Sequence, residues 1–123
     1  MHSPRARILV ADDEAPIREM LCHLFTHEGY VVSSVETGRD ALAAVETFRP
    51  DVILVDMVMP GLSGADVLIA LRQTRVTVPV ILMSAYEVVV GDAFFTVLAK
   101  PFDLPAMADA VAAAAARGRT ADD

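Results

Sequence analysis

Residues 53–64 read ILVDMVMPGLSG, an apolar run that stops at a carboxylate, Asp56, and gives way to proline, glycine and serine. The run begins at Val52. Four consecutive apolar residues between polar or turn-forming neighbours suit a strand buried on both faces. Beyond it Ser63 stands three residues before Asp66, an arrangement that opens a helix, and Val67, Leu68 and Leu71 follow at helical spacing. A strand, a carboxylate at its end and a capped helix make one βα unit, whose strand needs cover on both faces.

The same unit recurs in both directions along the chain. Further apolar runs occupy residues 8–11, 30–35, 80–83 and 95–99. In the first interval Ile17, Met20, Leu21 and Leu24 repeat at i, i+3, i+4, i+7, with Pro16 suited to a first helical turn and Gly29 to an exit. Thr37 with Asp40 opens a second helix that buries Ala41, Leu42 and Val45. Asp103 opens the last one, with Pro105 in its first turn and Leu104, Met107 and Val111 toward the sheet. Five strands alternating with helices predict an α/β fold with a parallel sheet. One interval breaks the rhythm: residues 86–93 leave room for about two helical turns, and Val88, Val89, Val90 and Gly91 disfavour even those. A fourth helix there is expected to be short or missing.

Composition bounds what such a fold can do. A chain of 123 residues with 54% hydrophobic content builds one core without disulfides or structural metal. Residues 7–117 are expected to form the domain, with tails at 1–6 and 118–123. A net charge of −7 repels a phosphate backbone, which excludes direct nucleic-acid binding as the expected activity. No apolar run is long enough to cross a bilayer and no secretory signal pattern opens the chain, so no membrane contact and a cytoplasmic location are expected. The one cysteine, Cys22, falls in the helical apolar pattern and is read as packing. His23 and His27 lie one helical turn apart and are read as a solvated face rather than a metal pair.

The remaining polar residues share a position. Asp12 and Asp13 follow the first strand, Asp56 the third, Ser84 the fourth and Lys100 the fifth, all at carboxyl ends. In an open parallel sheet these ends form the crevice where ligands bind. Three converging carboxylates raise one another's pKa unless a cation joins them. An all-oxygen donor set without cysteine or histidine favours Mg²⁺. A carboxylate flanked by Mg²⁺ and a lysine is suited to attack phosphorus, with Ser84 donating a hydrogen bond to the transferred group. Asp56 is thereby predicted to form an acyl phosphate, a labile bond suited to a transient signal.

The ordered segments ILVADDE (8–14), ILVDMVMPGLSG (53–64), ILMSAYE (81–87) and LAKPF (98–102) closely resemble the receiver domain family of two-component response regulators, with a match over residues 7–116. The resemblance implies a doubly wound, flavodoxin-like sheet of strand order 2-1-3-4-5. It also implies Mg²⁺ on Asp12, Asp13, Asp56 and the backbone carbonyl of Val58, phosphorylation of Asp56, and contacts from Ser84 and Lys100 to the phosphoryl group. The implied donor is a sensor histidine kinase or phosphotransfer protein, and the output an altered affinity for a downstream protein that the sequence does not name. A homodimer stays open. Catalysis is expected to extend no further than self-catalysed phosphorylation and dephosphorylation. No output module is recognisable after residue 116, in keeping with a single-domain regulator or an excised receiver.

Two departures from the family accompany the match. The interval between Ser84 and Lys100 is short by about six residues, roughly a turn and a half of helix. The aromatic that usually stands three residues before the lysine is Val97, and Phe95, on the same strand face, is the candidate to replace it. Three other functions compete with this one. An Asp-nucleophile Mg²⁺ phosphatase needs a second aspartate two residues after the first, where Val58 stands. An FMN module needs a phosphate-binding loop where ADDEAP stands. A receiver-like interaction scaffold that is never phosphorylated has no use for the acidic set, and the short or missing fourth helix keeps it as the alternative.

Overall fold

The first strand, β1 (Arg7–Ala11), is buried from Ile8 onward and lies inside a five-stranded parallel sheet. In this computed structural model, residues 6–84, 95–100 and 103–121 are described. In chain order β1 is followed by α1 (Ala15–His27), β2 (Val31–Val35), α2 (Gly38–Phe48), β3 (Val52–Asp56), α3 (Gly64–Gln73), β4 (Val80–Ser84), β5 (Phe95–Ala99) and α4 (Leu104–Ala121). The strand order is β2-β1-β3-β4-β5, so the chain steps outward from β1 to β2 and then returns past it to β3. That reversal opens a crevice between the carboxyl ends of β1 and β3.

Alternation along the central strands feeds two cores. Ile8, Val10, Val52, Leu54, Ile81 and Met83 pack with Leu21 and Phe25 of α1 and Met107 and Val111 of α4. Leu9, Ala11, Ile53, Val55, Val80 and Leu82 pack on the other face with Ala41 of α2 and Val67 and Leu71 of α3. Because β1, β3 and β4 are covered on both faces, β3 and β4 carry apolar residues at every position up to their polar ends, and β1 does so from Ile8 to Ala11.

The helix ends follow their local chemistry. The Asp40 N–H donates to Thr37 Oγ1 at 3.1 Å to open α2. Ser63 and Asp66 form a reciprocal capping box on α3. Gly29, just past α1, adopts φ 97°, the left-handed exit that favours glycine.

Several local readings need correction. β3 and β4 each run one residue further than the apolar pattern, so Asp56 and Ser84 are terminal strand residues. On α1, Met20 is exposed and Phe25 is fully buried instead, in an edge-to-face contact with Tyr30 at 5.8 Å. Leu104 is exposed, because α4 turns Met107 and Val111 inward. That helix also continues to Ala121, into the stretch read from sequence as a tail. The short or missing fourth helix expected at residues 86–93 lies outside the described residues, as do Tyr86 and the side chain of Phe95. Val97, paired with Leu82, is half-buried against the α2/α3 core.

Candidate metal and phosphoryl-acceptor site

The buried register of β1 delivers Asp12 to the crevice with no exposed surface. Its amide donates to Val35 O at 3.2 Å, which extends the β1–β2 ladder by one rung. Its Oδ1 accepts from the Glu14 N–H at 2.9 Å. Asp56, at the end of β3 and 7% exposed, lies across the crevice, its Oδ1 accepting from the Val58 N–H at 3.4 Å. Asp13 is exposed at the mouth, and one carboxylate oxygen from each of Asp12, Asp13 and Asp56 lies within 4.8 Å of the others.

Lys100 reaches this group from the end of β5. Its backbone N–H donates to Ser84 O at 2.6 Å, which ties the ends of β4 and β5 together. Its Nζ stands 3.2 Å from Asp56 Oδ1, 3.5 Å from Asp12 Oδ2 and 3.9 Å from Glu14 Oε2. Ser84 is buried one residue past Met83, the register partner of Asp56, which places it on the same rim. The predicted residues Asp12, Asp13, Asp56 and Lys100 are therefore brought together, and Ser84 and Val58 flank them.

Electrostatics strain this arrangement in one direction. Burial pushes the Asp12 carboxyl above its ordinary value of 3.8; the charge on Asp56 adds to this, while the Glu14 N–H and Lys100 oppose it without cancelling it. Burial pulls the Lys100 ammonium down, but attraction to Asp12 and Asp56 outweighs it and holds its pKa above the ordinary 10.5. Three carboxylates against one close ammonium leave negative charge that a cation relieves. Oxygen-only donors, two of them buried, match a hard divalent ion that keeps some of its waters, and Mg²⁺ fits that description.

The loop after Asp56 is held by close packing. A Cβ on Gly64 would meet Asp56 O at 2.5 Å and Met57 Cα at 3.0 Å, so only glycine lets α3 begin against the backbone of Asp56. Sequence reasoning assigned no role to two neighbours: Glu14, whose amide and carboxylate both face the cluster, and Arg18, which donates to Asp12 O at 2.8 Å. Their proximity to Asp12 in sequence was visible, but the bend that turns α1 back over β1 was not. His23 and His27 are exposed, and the three aspartates are the one metal-competent cluster among the described residues.

Comparison with known proteins agrees with this geometry. Residues 8–112 match the response regulator receiver domain family. The DNA-binding response regulator MtrA of Mycobacterium tuberculosis is 40% identical over 85 residues, which cover 69% of this chain and 37% of that protein. The chain thus spans little more than a third of that relative's length. Among solved structures, the signal receiver domain of a LuxO repressor protein from Vibrio parahaemolyticus aligns with TM-score 0.84 and 28% identity, over 96% of this chain and 95% of that one. The response regulator TrrA of Thermotoga maritima, solved with Mg²⁺ and BeF, aligns with TM-score 0.78 and 31% identity over 89% of this chain and 98% of that one. With a family match over most of its length, and an acidic crevice at the point where the strand order reverses, this chain belongs to the response regulator receiver domain family.

Proposed function

We propose that this receiver domain is switched by phosphorylation of Asp56, with Asp12, Asp13, Asp56 and the Val58 carbonyl holding Mg²⁺. The observation that carries the reading is the convergence of three carboxylates and the Lys100 ammonium on one buried rim. A phosphohistidine on a sensor kinase or phosphotransfer protein is the proposed donor. The P–N bond breaks as an Asp56 carboxylate oxygen bonds to phosphorus, and the departing imidazole keeps the electron pair and takes up a proton. Bound Mg²⁺ supplies positive charge to the oxygens of the transferring group. Lys100 Nζ, already 3.2 Å from Asp56 Oδ1, pairs with a second oxygen, and the Ser84 hydroxyl donates to a third.

The chain's catalysis is limited to its own phosphorylation and dephosphorylation. Val58 is 65% exposed beside the acceptor and carries no group able to protonate a leaving alkoxide or orient water, so turnover of external phosphate esters is not part of this reading. The phosphorylated form is proposed to change affinity for a downstream protein or for a second copy of the chain, in the cytoplasm. Intact-mass spectrometry after incubation with acetyl phosphate tests the reading. A gain of one phosphoryl group with Mg²⁺, absent in EDTA, is expected; labelling that ignores the metal would reject it.

A further inference from the structure

We infer that Arg18 is a positioning residue for the metal site: from α1 it fixes the peptide unit between Asp12 and Asp13, while Glu36 holds the other edge of its guanidinium. This rests on the reading of Asp12, Asp13 and Asp56 as Mg²⁺ ligands. Arg18 lies in the first turn of α1, and helical side chains lean toward the helix N-terminus, so it reaches back over the connection from β1. There Nη1 donates to Asp12 O at 2.8 Å and Nη2 pairs with Glu36 Oε1 at 3.2 Å.

The carbonyl of Asp12 belongs to the planar peptide that leads into Asp13. Holding its oxygen therefore sets the direction in which Asp13 leaves the strand. The other polar atoms of Asp12 are held already, the amide by Val35 O, Oδ1 by the Glu14 N–H and Oδ2 by Lys100. Arg18 supplies the remaining tether, and it acts on the bond that separates the buried ligand from the exposed one. Asp13, at the mouth, is the ligand with most freedom to lose, so this tether bears directly on metal capture.

The two partners of Arg18 have unequal weight. Its own side chain is 14% exposed while that of Glu36 is 68% exposed, so the outer ion pair is screened and adds little by itself. Glu36, just past β2, instead orients the guanidinium so that Nη1 aims at the carbonyl. A planar fork serves two acceptors at once, which a lysine does less well.

Isothermal titration with Mg²⁺ and melting in EDTA, on the parent, Arg18→Ala, Arg18→Lys and Glu36→Ala, test the inference. Arg18→Ala is expected to weaken Mg²⁺ binding about ten-fold, as loss of a group that orients a metal ligand does. Labelling by acetyl phosphate should then need more Mg²⁺ but recover at saturation. Arg18→Lys, whose donors all sit on one nitrogen, should regain part of the affinity, and Glu36→Ala should lose a smaller share. A folded Arg18→Ala protein with the parent's Mg²⁺ affinity overturns the proposal, whatever its melting temperature. If that variant does not fold, parent-like affinity in both other variants overturns it. A parent that binds no Mg²⁺ brings down the site reading itself, a result distinct from a parent that binds beside an unaffected variant.

Discussion

At the scale of single residues, Asp12 carries the clearest conflict between folding and function. Its carboxyl is pushed above 3.8 by burial, so the folded state holds the proton more tightly than the unfolded chain does. Ionised Asp12 therefore costs stability above its raised pKa, and stability returns as pH falls through that value. For Lys100 the sign is opposite: its attraction to Asp12 and Asp56 is fully present below 10.5 and is lost as pH rises through its higher folded value. Asp12→Asn is expected to melt higher than the parent in EDTA at neutral pH, by about 4 °C for each kcal/mol relieved, and to lose most of the Mg²⁺-induced gain. Paired thermal melts with and without Mg²⁺ check both halves. Val58 gives a second prediction. An apolar, exposed side chain beside the proposed acceptor Asp56 cannot orient an attacking water, so Val58→Asn should hasten loss of the phosphoryl group severalfold, followed as phosphate release. Equal or slower release in that variant would count against the assignment. Glu14 and Arg18 were illegible at this scale, because only the folded β1–α1 corner shows that they face Asp12.

At the scale of elements, α3 matters most, since its first residue rests on the backbone of Asp56. Gly64→Ala would force its new Cβ against that carbonyl, an overpacking that costs about 1–3 kcal/mol. A lower melting temperature together with slower labelling by acetyl phosphate is expected, whereas unchanged labelling would detach α3 from the geometry of Asp56. Ser63→Ala removes one arm of the capping box and should cost about 1 kcal/mol in a denaturant titration without abolishing labelling. The capping signals were readable beforehand, because capping chemistry is local: Ser63, Asp66, Thr37 and Gly29 act where the sequence pattern places them, whereas the close approach of Gly64 to Asp56 shows only in the fold. The facing of helices was read less well. Met20 satisfies the helical period as well as Phe25 does, but in the fold Phe25 packs edge-to-face on Tyr30 in the core while Met20 stays exposed. Leu104 missed in the same way, since a helix's first residue has no preceding turn to hold it against the sheet.

At the scale of the whole molecule, the legible part was the chain order of apolar runs and of the polar residues that end them. Asp12, Asp13, Asp56, Ser84 and Lys100 are scattered over most of the sequence, and only a parallel sheet with a strand-order reversal brings such ends to one rim. Register and distances were not legible: nothing in the sequence sets Lys100 Nζ closer to Asp56 than to Asp12. If the rim is a Mg²⁺ site, the folded state alone binds the ion, and Mg²⁺ at 100 times its dissociation constant should stabilise the parent by about 2.7 kcal/mol. Phosphoryl transfer to Asp56 is the step on which the proposed switch rests. Labelling with acetyl phosphate and Mg²⁺, followed by borohydride reduction and peptide sequencing by mass spectrometry, locates the acyl phosphate, because reduction turns the modified aspartate into homoserine. Homoserine is expected at position 56 alone and none after Asp56→Ala; homoserine at Asp12 or Asp13 in the parent, with Asp56 untouched, would overturn the assignment.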